Sequence, residues 1–236
     1  MTYINNMQAF NSLIGYCTGY GGKYNPGRPN LRIESLQAQM DAVRQALENV
    51  KETRVHFINE VNERRQVFAR LPALASSVLR TMVACGVADD KLTSARMLVT
   101  NLLGKSPRSR TVVAEQGAQP VQPTVRQSSM QWSYWSQADS FSQLVKMIAT
   151  EPLYQPNEQE LSLAGLKLKL ASLEDMNQRV AQARTNWSNA RLQRDASMYG
   201  QEQSLSSLTR AVKSYLRAIF GLHSPQYDQV KGIVIH

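Results

Sequence analysis

The chain has 236 residues, 42% of them hydrophobic but only 7% aromatic, and a formal net charge of +9. Few aromatics with only 12 Gly and 9 Pro argue against a sandwich or barrel of short strands and for long helices. Two cysteines, Cys17 and Cys85, make no disulfide framework and no metal pattern; they read as buried free thiols, with a single bridge between them left open.

The opening "MTYINNMQAFNSLIGYC" has no basic n-region and no continuous apolar stretch, so it is not an ordinary secretory signal. No segment approaches the roughly 18 uninterrupted apolar residues of a membrane span. A soluble, cytoplasmic protein is the default expectation, with export without a cleaved signal left open. "FNSLI" from Phe10 lies in the first predicted element, a short amphipathic helix.

Next comes "YNPGRPNLRIESL" from Tyr24, which returns as "YQPNEQELSLAGL" from Tyr154. At that offset of 130 residues, Val50, Arg54, Phe57, Asn59 and Arg64 meet Val180, Arg184, Trp187, Asn189 and Arg194 without a gap, and Ser76, Ser77 and Arg80 meet Ser206, Ser207 and Arg210. With one residue of slippage, "FNSLI" meets "FSQLV" from Phe141. An ungapped register with matching apolar spacing reads as a duplication. In each copy the proline marks a turn into a long helix, because it fixes φ and donates no backbone hydrogen bond.

The long helices carry apolar residues in steps of four and three, the a/d spacing of a coiled coil. The first seam runs Leu36, Met40, Val43, Leu47, Val50, Arg54, Phe57, Val61, Arg64, Phe68, Leu71; the second includes Leu166, Leu170, Leu173, Val180, Arg184, Trp187, Arg194, Leu208, Val212 and Ile219. The frame passes Pro72 and Gly200 without a phase break, which favours one kinked helix per copy over a hairpin at either position. The expected fold is therefore all-α, an elongated bundle of two internal repeats, each a short helix plus a long kinked coiled-coil-like helix.

Along the chain this divides into 1–104 (first repeat and a following helix ending near Gly104), an irregular connector at 105–136, the second repeat at 137–221, and an extended tail at 222–236, all in one structural domain. "RTVVAE" and "PTVRQ" in the connector could pair as a short hairpin. The tail ends in Ile233, Val234 and Ile235, a β-branched run that invites pairing. It either straps back onto its own bundle or crosses to a neighbouring protomer, and the crossing is the favoured expectation.

Chemistry is scarce. His56, His223 and His236 stand in no ligand spacing, and Val99 occupies the place where a phosphate-binding loop ending in "GKS" needs glycine. No catalytic, cofactor-binding or metal residue is expected. The unusual feature is the set of seam arginines, Arg54, Arg64, Arg184 and Arg194, with Arg191 beside them. They either cover apolar surface with their stems or meet Glu60, Glu63 or Asp195 across helices and fix register.

"SNARLQRD" at residues 188–195, the Tyr-x-Pro-Asn opening at Tyr154 and "SPQYDQVKGI" from Ser224 resemble pieces of uncharacterised bacterial all-helical proteins. That resemblance implies an all-α fold over most of the chain and supplies no activity and no site residue. Residues 30–85 hold 8 basic against 6 acidic side chains, and residues 157–220 hold 9 against 6, so the excess charge forms no stripe for nucleic acid. The leading expectation is a structural or interaction protein that self-associates, a homo-oligomer without cofactor. A membrane-active helical component and a basic nucleic-acid-binding bundle are the alternatives.

Overall fold

The computed structural model describes residues 3–103 and 133–236. Among these every regular element is helical: α1 (Tyr3–Gly19), α2 (Ile33–Ala69), α3 (Leu71–Ala84), α4 (Asp89–Leu102), α5 (Tyr134–Ala149), α6 (Leu163–Tyr199), α7 (Leu205–Phe220) and α8 (Pro225–Lys231), with 3-10 turns at Gly21–Lys23 and Pro29–Leu31. The all-α class is thus established. The suggested hairpin and Gly104 lie outside the described residues. The connector ends earlier than expected: Ser133 accepts a hydrogen bond from the Ser136 amide and caps α5, satisfying one of the donors every helix start leaves open.

The chain forms two compact units, Met1–Phe57 with Ala183–His236, and Ile58–Gln182. They do not follow the sequence segments 1–104 and 137–221, since α2 and α6 contribute to both. In the first unit α1 packs on α7 and α8; in the second α4 packs on α3 and α5. The first core gathers Phe10, Leu13, Leu36, Val43, Met198, Leu208 and Val212. The second gathers Phe68, Val78, Met82, Leu102, Phe141, Leu144, Leu166 and Leu173.

The entry to each long helix is tied by a tyrosine. The Tyr24 hydroxyl donates to the Leu31 carbonyl at 2.7 Å, and the Tyr154 hydroxyl donates to the Leu161 carbonyl at 2.8 Å. Both rings are buried. Burial pushes the Tyr154 hydroxyl up to about 12 and raises that of Tyr24, which keeps both protonated and able to donate. α2 and α6, which follow these turns, are each 37 residues long.

Of the seam, Leu36, Met40, Val43, Phe68, Leu166, Leu173, Val180, Leu208 and Val212 are buried. Val50, Phe57, Val61, Leu170 and Trp187 are only half-buried. Ile219, expected in the core, is 41% exposed, and Leu216 is buried in its stead. Val50, Phe57, Val61 and Trp187 belong to neither core, because a long helix with a single long neighbour covers a narrow seam and leaves its flanks wet.

The two expected kinks differ. Between α2 and α3 only Arg70 departs, still with φ −90° and ψ −7°, and Pro72 sits in the first turn of α3. At Gly200 the expectation of one continuous helix is corrected. Residues 200–203 leave the helix, Gln203 adopts a left-handed φ of 54°, and Ser204 caps α7 by accepting from the Ser207 amide. A Cβ at Gly200 would lie 2.5 Å from the Ala196 carbonyl oxygen, so the turn needs glycine there. The extended tail is corrected too: Ser224 accepts from the Tyr227 amide and Pro225 opens α8, a serine cap followed by a helix-entry proline.

Candidate interaction sites

The four seam arginines separate into two kinds. Arg54 and Arg184 are exposed on the long helices. Arg64 is half-buried, its guanidinium 4.2 Å from the centroid of the Tyr134 ring at the start of α5. Arg194 is 8% exposed and lies 3.9 Å from the centroid of Tyr3 at the start of α1. A planar, weakly hydrated guanidinium can shed water onto an aromatic face where an ammonium would resist. Burial lowers the Arg64 pKa, the expected direction for a desolvated cation.

The acidic partners are not those anticipated. Glu60 and Glu63 are held by Arg179, at 2.8 Å and 2.9 Å, and neither bond involves a seam arginine. Asp195 does meet Arg194, at 2.8 Å, but as its neighbour along α6 rather than across helices. Arg179 stands on the α6 face opposite Glu60 because the helices run antiparallel there, with Lys169 Nζ donating to the Val67 carbonyl at 2.8 Å. The position 130 residues before Arg179 is Asn49, so the sequence offers no counterpart of this ion pair at that offset. A further pair, Lys91 with Glu151 at 2.7 Å, joins α4 to the end of α5 and was not anticipated.

Residues 232–236 form no strand; in this structure they lie on their own chain. Ile235 is buried in the first core, Ile233 packs against it, and Val234 is 48% exposed. Lys213 Nζ donates to the Lys231 and Ile233 carbonyls at 2.7 Å and 3.0 Å, and its burial lowers the ammonium pKa. The Tyr199 hydroxyl donates to the His236 carbonyl at 2.8 Å. Asn6, 1% exposed, donates to the same carbonyl and accepts from the His236 amide at 3.3 Å.

Two further features complete the first unit. A groove of about 360 Å³ between α1 and α2 is lined by Ile4, Met7, Met40 and Leu47, with Arg44 and Lys51 among its polar residues. Cys17 is buried beside the Tyr24 hydroxyl, and burial pushes its thiol up to about 11, the mark of an inert thiol rather than a nucleophile. Both cysteines are free. Among the described residues, no three His, Cys, Asp or Glu side chains converge on a point that could hold a metal ion.

Comparison with protein-family models, with curated proteins and with solved structures found no match to this chain.

Proposed function

We propose that the chain is a non-enzymatic structural or interaction protein, made of two copies of one helical unit, that self-associates through its bundle surfaces and its C-terminal segment. The observation that carries this reading is a matched pair of exposed apolar residues. Ile4 on α1 is 62% exposed and Trp135 on α5 is 53% exposed. They stand 131 residues apart, the same slipped offset that aligns Phe10 with Phe141, and both of those are fully buried. Each unit thus sets a large apolar side chain outward from the first turn of its short helix, above equivalent core residues.

The duplication is supported by the equal lengths of α2 and α6, by the paired tyrosine ties, and by Arg64 on Tyr134 beside Arg194 on Tyr3. Coiled-coil-like packing is supported by the buried seam residues of both long helices. A protomer that carries one kind of surface twice is suited to repeated contacts with its own kind. The polar groups that converge are occupied in helix-to-helix contacts: Arg179 with Glu60 and Glu63, Lys91 with Glu151, Asn6 with Tyr199. Light scattering over a concentration series, with electron microscopy, tests the reading. Assembly that weakens in Ile4→Asp and Trp135→Asp supports it; a monomer at every concentration rejects it.

One observation favours a membrane-active alternative. The helical run Ile33–Ala84 is long and apolar enough to cross a membrane by length and composition, with a window of mean hydropathy 1.3 that is 28% buried. Against insertion, Leu71, Ala75, Val78 and Met82 on α3 face the second core. Dye leakage from liposomes decides between the two readings.

A further inference from the structure

We propose that residues 225–236 are a detachable strap, and that the site they fill on α1, α6 and α7 receives the same segment from a second copy of the chain. The inference rests on the self-association reading and names its contact.

The strap is a self-contained piece. α8 is capped by Ser224 and carries a Lys231–Asp228 ion pair at 2.8 Å, contacts that are local to the segment. It is joined to α7 through Gly221, whose φ of 92° only glycine adopts freely and whose Cβ position has no atom within 4 Å. Residues 221–224 would be the hinge, and opening it gives up the Lys213 bonds and the apolar contacts with α7.

The acceptor site reads backbone. Tyr20 donates to the Gln226 carbonyl at 2.9 Å, Lys213 to those of Lys231 and Ile233, and Tyr199 and Asn6 to that of His236. Asn6 also takes the His236 amide, so one buried amide side chain pairs with both backbone groups of one residue. Val230 and Ile235 supply the buried apolar anchors. None of these contacts depends on which copy provides the strap, which is the condition for exchange between identical chains.

Covalent linkage gives the chain's own strap an effective concentration on the order of millimolar. Closure within one chain therefore prevails in dilute solution, and exchange takes over when copies are crowded, as in an assembly.

The test uses two full-length variants. Asn6→Leu weakens the acceptor and leaves the strap intact; Ile235→Asp spoils the strap and leaves the acceptor intact. Each alone is expected to be a helical monomer by circular dichroism and light scattering. Mixed at high concentration, they are expected to form a heterodimer of twice the protomer mass, seen by native mass spectrometry with one partner isotopically labelled. Deleting Leu222 and His223 from the wild-type chain should prevent closure within one chain and give a dimer. The proposal is overturned if the mixture stays monomeric while both variants are helical, or if the shortened chain is a helical monomer. If Ile235→Asp alone assembles as the wild type does, self-association stands and the strap is not its contact. If wild type, variants and mixture are all monomeric, both readings fall.

Discussion

Phe57 and Trp187 stack on one another with ring centroids 5.5 Å apart and planes 20° from parallel. They occupy matching places in the two sequence halves, 130 residues apart, and meet within the first unit, where α2 and α6 lean together. Both rings are half-buried and lie outside either core. Substituting either by Ala should therefore cost about 1–2 kcal/mol, against about 3–5 kcal/mol for Phe10→Ala or Phe141→Ala in the cores. Urea denaturation of the four variants checks the ranking, and the double variant should show a coupling of about 0.5–1.5 kcal/mol.

Removing the hydroxyl in Tyr24→Phe or Tyr154→Phe leaves a carbonyl at the helix entry without its donor. Each should lower stability by about 1–2 kcal/mol, and near-equal losses are expected because the two ties share one geometry. The same hydroxyls set a response to alkali. The folded-state pKa of Tyr154 is raised to about 12, above the ordinary tyrosine value of about 10. The folded state thus holds its proton where the unfolded state has released it. Stability from this group is complete below about pH 10 and is lost as the pH climbs toward about 12. Tyr154→Phe should flatten that decline in an alkaline melt series.

Arg179→Met removes the cation shared by Glu60 and Glu63. Glu60 is 5% exposed, while Arg179 keeps 41% of its side chain in solvent, so a cost of about 1–3 kcal/mol is expected, below that of a fully buried pair. Arg54→Met and Arg184→Met, on exposed positions, should stay within about 0.5 kcal/mol of wild type. Equal effects across all three would place no special weight on the Arg179 contact.

The turn between α6 and α7 offers opposite substitutions. Gly200→Ala forces a Cβ against the Ala196 carbonyl and should cost about 1–3 kcal/mol, whereas Gln203→Gly relieves a left-handed backbone and should gain up to about 1 kcal/mol. Thermal melts of both, compared with the open position Gly22→Ala, separate the local geometry from a general sensitivity to glycine replacement.

Helix class, the short-then-long order of elements, the two tyrosine turns and most core residues of α2 and α6 were legible in the sequence. All of them depend on spacing along one chain, where a period near 3.6 residues marks the buried face of a helix whatever it packs against. Phase alone did not separate a kink from a turn at Gly200. Leu205, Leu208 and Val212 must face a core in either case, so the frame survives the interruption. The serine cap and entry proline of α8 stand in "SPQYDQ", a local signal that the expectation of an extended tail did not use.

Partner choice was another matter. The seam arginines stand out in the sequence as a group, yet Arg64 and Arg194 lie on aromatic rings, Arg54 and Arg184 are exposed, and Arg179 takes the carboxylates. Asn6 and Lys213 carried no signal at all, since a buried amide and a half-buried ammonium have meaning only once distant backbone is brought to them. Periodicity determines which side of a helix is dry. Which polar group stands opposite is decided by the axial register and crossing of helices more than a hundred residues apart, and that exists only in the folded chain.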